Sequence, residues 1–270
     1  MSDLAATFRR LHQGTTPLRL ANAWDIGSAR LIESLGAPAI ATTRAGVAWA
    51  QGYPDGDVLP VSALAFVVAG ITRVTRIPLS VDAEGGYAGD PAGVGEAIAQ
   101  LIDAGAVGIN IEDGAAAPDL LAAKIERIKR VAAGKGVDLF VNARTDVYLR
   151  SLAPEATRVE ETIARAARYR DAGADGIFVP GLIEPAAIRR IVEATPLPLN
   201  VMARNGLPAA AELTTLGVKR LSAGSGIAQA LWGHAAVLAK AFLDEGVSEP
   251  LATGAMAYPE INALFSGAKG

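Results

Sequence analysis

Eight short runs of apolar and β-branched residues recur along the chain: LRLANA (18–23), AIATT (39–43), PLSVDAE (78–84), GINIED (108–113), LFVNARTD (139–146), GIFVPG (176–181), PLNVMA (198–203) and RLSAG (220–224). Most stay apolar until their last residues, the pattern of a strand covered on both faces. Segments with helical spacing, such as PAGVGEAIAQLIDAG and RVEETIARAARYRDAG, separate most of them. Strand–helix alternation predicts a parallel sheet, and eight units predict closure into a (β/α)8 TIM barrel. IDAGAVGINIED and RDAGADGIFVPG repeat a helix end, a glycine and a strand, with weaker copies in ESLGAPAIATT and TTLGVKRLSAG. Recurring loop chemistry accounts for the repeat, because Gly36, Gly105, Gly173 and Gly217 stand where a left-handed residue ends a helix. A long apolar helix over roughly 226–246 and an amphipathic segment, YPEINALF, follow the last strand. No linker interrupts the chain, so one domain over 1–270 is expected, with 226–270 as a C-terminal helical extension.

Composition narrows the picture. The length of 270 residues and an apolar content of 51% suit a barrel core. A net charge of −3 without a basic stripe argues against nucleic acid as a partner. The absence of cysteine removes disulfides, thiolate metal sites and thiol nucleophiles. The N-terminal MSDLAATFRRLHQG has no apolar core of a signal peptide, and the longest apolar run, 61–71, is too short to span a bilayer. A cytoplasmic protein with no membrane partner is the expectation.

Polar residues break the strand pattern at the C-terminal ends, where barrel active sites are built. The third run ends in Asp82-Ala83-Glu84, and a period of two puts both carboxylates on one side. The fourth ends in Glu112-Asp113, and the fifth in Asn142-Ala143-Arg144-Thr145-Asp146. Carboxylates gathered in a partly buried mouth repel one another, and a cation relieves that repulsion. Oxygen donors with no His or Cys nearby favour Mg²⁺, with Mn²⁺ as the alternative. Arg144 supplies a planar fork for a substrate carboxylate or phosphonate. Taken singly, such acids are more often helix caps or ion-pair partners: Asp90 and Asp113 read as caps, and Asp146 as a residue that orients Arg144.

These residues carry a resemblance. Along nearly its whole length the chain resembles the isocitrate lyase/phosphoenolpyruvate mutase superfamily. NAWDIGSARLIESLGAPAI is similar to that superfamily's first strand and helix, and ATTRAGVAWAQGYPDGD to its second strand and the following Pro-Asp loop. VDAEGGYAGDP resembles its metal motif, GAVGINIEDG its Glu-Asp strand, and VNARTDVY its Ala-Arg-Thr-Asp strand. The resemblance implies Asp82 as the carboxylate nearest Mg²⁺, with Glu84 and Glu112 holding metal-bound waters. It implies Asp55 as a loop carboxylate approaching the metal or substrate, Arg144 as the substrate-carboxylate ligand, and Thr43 as a holder of an α-keto acid through its backbone and hydroxyl. The implied chemistry passes through a pyruvate-type enolate, with members differing in whether a C–C or a C–P bond breaks. It also implies that the helix after the last strand is exchanged between subunits of a homo-oligomer, a dimer or tetramer.

Departures from the superfamily pattern shape the expected reaction. The isocitrate and methylisocitrate lyases carry a gating loop with a cysteine acid. Here that stretch is DGAAAPDLLAAK (113–124), without cysteine or histidine. The mutase's loop Lys, Asn and Ser are missing too, and Pro180-Gly181 replaces its histidine. Glu84 replaces the usual Asp, and Asp119 in the loop reads as a helix N-cap. A lyase or decarboxylase acting on a small α-keto or 2-hydroxy di- or tricarboxylic acid is the expected function, since departing CO₂ needs no proton donor. Alternatives are C–P chemistry and a non-catalytic oxyacid-binding barrel. Tyr87 either takes part in proton transfer or walls the pocket. Trp24 and Trp49 are expected to line the mouth, with Trp24 touching substrate, and Trp232 to serve as core or subunit contact. SAGSG (222–226) reads as a structural turn rather than a phosphate site, and His12 and His234 as surface or packing residues in helices. Arg44 and Arg204, just beyond the second and seventh strands, are placed to meet a second carboxylate or to form ion pairs.

Overall fold

A computed structural model describes residues 2–266. The strands are β1 (Leu18–Leu20), β2 (Asn22–Ala23), β3 (Ile40–Thr42), β4 (Leu79–Asp82), β5 (Gly108–Glu112), β6 (Phe140–Arg144), β7 (Gly176–Phe178), β8 (Leu199–Met202) and β9 (Arg220–Ser222). All pair in parallel, in the order β1-β9-β8-β7-β6-β5-β4-β3-β2. The first expected strand is therefore two segments parted only by Ala21. β1 pairs outward to β9, and β2 pairs on the other side to β3, so this one stave closes the ring. The eight expected staves and the TIM-type barrel are both present.

The helices are α1 (Ser2–Leu11), α2 (Ile26–Ser34), α3 (Arg44–Ala50), α4 (Val61–Val74), α5 (Pro91–Asp103), α6 (Pro118–Gly134), α7 (Arg158–Asp171), α8 (Pro185–Ala194), α9 (Ala210–Thr215), α10 (Gly226–Glu245), α11 (Glu249–Ala252) and α12 (Tyr258–Phe265). Local chemistry sets their starts. Asp25 and Ser28 form a reciprocal capping box on α2, and Asp90 accepts from the Ala92 and Gly93 amides ahead of Pro91, as expected. The four repeat glycines take φ of +84° to +106° at their helix ends. YPEINALF coincides with α12, and Gly246 closes α10 in the left-handed region. Residues 267–270 of the expected extension lie outside the described residues. No described helix is long and apolar enough to cross a membrane.

The strand alternation sorts the core into two. Val81, Ile109, Ile111, Val141, Ala143, Ile177 and Val201 face the helices and belong to the large apolar cluster. The inward positions are layered along the barrel axis. At the N-terminal end, Phe8 of α1 plugs the ring with Leu18, Leu20, Ala41 and Phe140. A Cβ on Gly108 would lie 2.7 Å from the Phe8 ring, so only glycine admits the plug at this point on β5. Above it lies a polar layer of Ser80, Asn110, Asn142, Asn200, Arg220 and Ser222, all buried. Barrel interiors usually hold bulky aliphatics. Here Asn142 Nδ2 and Arg220 Nη2 both donate to Asn110 Oδ1, at 2.9 and 3.3 Å. Asp82, Glu112 and Arg144 occupy the top of the same inward rows.

His12 lies just past the end of α1 and is 5% exposed, a packing residue rather than a surface one. Its ring stacks on Phe140 at 4.2 Å, and its Nδ1 lies 2.9 Å from the Phe8 carbonyl. Burial, and next the Arg220 charge, pull its pKa down to about 3. His234 is exposed on α10. Trp232, expected in the core or at a subunit contact, is 53% exposed and is no part of this chain's core.

Candidate active site

The C-terminal mouth holds a cavity of about 140 Å³, walled by Asp82, Arg144, Arg44, Thr43, Asp55 and Asn110, with Phe178 and Met202 on the apolar side. Four expected site residues, Asp82, Arg144, Thr43 and Asp55, meet here. A larger hollow of about 460 Å³ opens at the opposite end between Arg9, Asp175 and Lys219. It lies on the face that serves barrel stability rather than chemistry.

Glu112 and Arg144 are register partners at the ends of β5 and β6. Glu112 stands between two guanidiniums: Arg44 Nη1 donates to Oε1 at 2.7 Å, and Arg144 Nη1 lies 2.8 Å from Oε2. The second contact is off the N–H direction, so Oε2 remains a buried acceptor without a hydrogen bond. Burial pushes the Glu112 carboxyl up to about 7, against the opposing pull of Arg144 and Arg44. Arg144 is forked onto Asp146, from Nε to Oδ1 at 2.7 Å and from Nη2 to Oδ2 at 3.2 Å. Asp146 is fully buried and does orient Arg144, as its spacing suggested.

Asp82 keeps a freer carboxylate. Its Oδ1 accepts the Glu84 amide at 3.3 Å, and Oδ2 has no hydrogen bond among the described residues. Burial raises its pKa, opposed by Arg144 and Arg44. The strand stops at Asp82, and Glu84 follows in a left-handed turn with φ +51°. Glu84 therefore comes to the side of Asp82 from a turn rather than by strand alternation. Its Oε2 accepts the Asp57 amide, and its Oε1 accepts the Tyr87 hydroxyl at 3.1 Å. Asp57, Glu84 and Tyr87 all have positive φ and are bonded to one another, a concentration of backbone strain at one spot. A Cβ on Gly85 would lie 2.7 Å from Asp57 Oδ2, so glycine lets the 51–60 loop lie on this turn. Glu84 thus fastens that loop, and Tyr87 fastens Glu84. Tyr87 is not part of the cavity wall, and burial next to Glu84 holds its proton more firmly than usual.

Other expectations are redistributed. The Thr43 amide donates to the Ala23 carbonyl at 2.9 Å, which leaves only its hydroxyl for a substrate. Trp24 is absent from the wall of the mouth: it packs behind α3, where a Cβ on Gly46 would meet its Cβ at 2.8 Å. Trp49 faces Trp232 in a shallow hollow beside α10 instead of the mouth. Asp113 is not a cap, since Ala117 precedes α6. It accepts from the Tyr169 hydroxyl and Arg165 Nη1 at 2.7 Å each, and from the Asp146 amide at 2.9 Å. Asp119 lies inside the first turn of α6 and pairs with Arg168, so it is not the N-cap either. Arg204 is exposed and makes no ion pair among the described residues.

Two residues matter more than their sequence context suggested. Arg44, first residue of α3, reaches Glu112, Asp55 (3.1 Å) and Glu84 (4.0 Å). Burial disfavours its charge, yet Glu112, Asp82 and Asp55 outweigh burial and raise its pKa. Lys124, buried on α6, donates to the Gly85 carbonyl at 2.7 Å beside a second cavity of about 240 Å³ under 113–121. A lone Lys at the end of an Ala-rich stretch gives no sign of this contact.

With this geometry in view, the sequence profile of the family described as Phosphoenolpyruvate phosphomutase matches residues 8–243. The chain belongs to that family. The superfamily resemblance read from the motifs is borne out, and membership makes the chain an enzyme of the lyase/mutase group. Among relatives of this phosphomutase-family chain, an uncharacterized protein of Mycobacterium tuberculosis (Rv1998c) is 40% identical over 223 residues, covering 81% of this chain and 82% of that protein. An oxaloacetate decarboxylase of Paraburkholderia xenovorans is 35% identical, covering 76% of this chain and 71% of the decarboxylase. Among solved structures, a candidate phosphonomutase from Burkholderia cenocepacia J2315 superposes with a TM-score of 0.84 at 42% identity, over 88% of this chain and 99% of that one. Oxaloacetate acetylhydrolase with bound oxalate shares the fold, with a TM-score of 0.85 at 22% identity, over 97% of this chain and 94% of that one.

Proposed function

We propose that this phosphomutase-family enzyme cleaves a C–C bond of a small α-keto or 2-hydroxy di- or tricarboxylic acid through a pyruvate-type enolate, with decarboxylation of an oxaloacetate-like acid as the favoured reaction. The observation that carries this reading is the makeup of the cavity. It presents two guanidiniums and a free carboxylate, but among the described residues no His, Cys, Lys or Tyr to deliver a proton. A leaving group that departs as CO₂ needs none, and solvent protonates the enolate. The 35% identity to an oxaloacetate decarboxylase supports the same choice. At about 140 Å³ the cavity suits an acid of a few carbons, well below the roughly 300–1,000 Å³ of pockets for larger ligands.

The donor set fits Mg²⁺. Among the described residues no three acidic or imidazole groups already form a cage. Mg²⁺ does not need one, since it takes one or two carboxylates and keeps its waters. Asp82 Oδ2, which accepts no hydrogen bond among the described residues, and Glu112 through the Oε1 that Arg44 now holds are the groups to hold it, with Asp55 within reach of the same mouth. A bound divalent cation supplies positive charge against the keto oxygen as the enolate develops. Arg144, held by Asp146, orients the substrate carboxylate, and Thr43 offers its hydroxyl. Phe178 and Met202 keep water from one flank.

The test is an NMR time course with Mg²⁺ and oxaloacetate, 2-methylisocitrate, dimethylmalate or phosphonopyruvate, each with and without EDTA. EDTA-sensitive conversion of a C–C substrate, lost in Asp82→Ala, is expected. Conversion of phosphonopyruvate alone, read by ³¹P, would replace this reading with C–P chemistry.

A further inference from the structure

Arg44 stands where the proposed cation belongs. Its guanidinium ties together carboxylates from three separate segments: Glu112 at the end of β5 (2.7 Å), Asp55 in the 51–60 loop (3.1 Å) and Glu84 on the turn after β4 (4.0 Å). Its side chain is only 15% exposed, and part of it walls the cavity that Asp82 also lines. The backbone that carries it is fixed. A Cβ on Gly46, two residues on, would lie 2.7 Å from Thr43 Cγ2 and 2.8 Å from Trp24 Cβ, so α3 is packed too tightly to shift. The guanidinium sits at the end of a long flexible stem, and that stem is the part free to move.

We infer that Arg44 is the site's resident counter-cation: it neutralises Glu112 and its neighbours when no metal is bound, and it releases Glu112 when a divalent cation arrives. The inference rests on the metal reading proposed above. Its physical basis is competition. Arg44 and a divalent cation cannot both sit against Glu112 Oε1 in a low-dielectric mouth without strong repulsion, and Arg144 on Oε2 alone does not balance Glu112, Asp82, Asp55 and Glu84. One positive group replaces the other on Glu112 Oε1, so the metal-free site stays assembled and the 51–60 loop stays latched through Asp55. Metal affinity is correspondingly weakened, because binding must first break the Arg44–Glu112 hydrogen bond.

The experiment is titration calorimetry with Mg²⁺ on the wild-type chain, Arg44→Met, Arg44→Lys and Asp82→Ala, alongside melting temperatures in EDTA and in Mg²⁺. Arg44→Met is expected to bind Mg²⁺ at least about tenfold more tightly, the scale of one charge-assisted hydrogen bond that no longer has to be broken. Its melting temperature is expected to fall in EDTA and to recover with Mg²⁺. Arg44→Lys keeps the charge without the fork and should fall between, which preserves the test if the Met variant does not fold. Unchanged or weaker Mg²⁺ binding in the Arg44 variants, with binding lost in Asp82→Ala, would overturn the counter-cation and leave the metal reading standing. No Mg²⁺ binding in any of the chains would overturn both.

Discussion

His12 offers a quantitative check on the barrel floor. The ring is buried between Phe8 and Phe140, and its pKa is pulled from 6.5 to about 3, chiefly by burial. A histidine depressed in the folded state contributes stability that is present above the unfolded pKa and is lost as pH falls from about 6.5 toward 3. At pH 5 the unfolded chain is mostly protonated at this residue and the folded chain is not. The difference of about 1.5 units between the unfolded pKa and pH 5 corresponds to about 2 kcal/mol of lost stability relative to pH 8. For a chain of this size that is a melting shift of roughly 3–4 °C. His12→Phe keeps an aromatic ring against Phe140 and removes the titration. Thermal melts of both proteins from pH 5 to pH 8 are the assay. The gap between them should move by about 2 kcal/mol in favour of His12→Phe as pH falls. Parallel curves would refute the reasoning, because they would place His12 in water and leave Phe8 without a sealed socket.

Other expectations follow from single contacts. Asp146→Asn removes the charge that aligns Arg144, so kcat/KM should drop by about 10- to 100-fold, the scale of one charge-assisted hydrogen bond to a substrate-orienting group; steady-state kinetics with the substrate found by NMR checks it. Asp113→Ala strands Arg165, the Tyr169 hydroxyl and the Asp146 amide, and should cost about 3–5 kcal/mol in denaturant melts, against about 1 kcal/mol for the true cap change Asp90→Ala. Tyr87→Phe should lower kcat by less than about tenfold, because Tyr87 positions Glu84 and lies off the cavity wall; a loss of the 10²–10⁴ typical of a general acid would make it the proton donor.

The barrel was legible because its strands are short, evenly spaced and set off by helix-ending glycines such as Gly105 and Gly173. The site was legible as far as the strands run: Asp82, Glu112 and Arg144 are the last inward residues of β4, β5 and β6. Beyond the strand ends the backbone sets direction, and a period of two no longer applies. Glu84 leaves the strand at φ +51° and, while its amide still reaches Asp82 Oδ1, its carboxylate fastens the 51–60 loop. Asp113 and Asp119 looked like caps because local spacing cannot reveal partners more than 45 residues away on α7. Arg44 showed position without partners, since three carboxylates reach it only through the closed ring. The polar inner layer of Asn110, Asn142 and Asn200 was masked by the aliphatic residues that alternate with it and face the helices.

The central claim is cleavage of a C–C bond with the help of a divalent cation at Asp82 and Glu112. It is tested most directly by following oxaloacetate by NMR with purified protein and Mg²⁺, corrected for the protein-free rate. The account predicts pyruvate and CO₂ in equal amounts, at a rate abolished by EDTA and by Asp82→Ala. Turnover that survives both treatments would contradict the metal site, and no turnover of any C–C substrate would contradict the lyase.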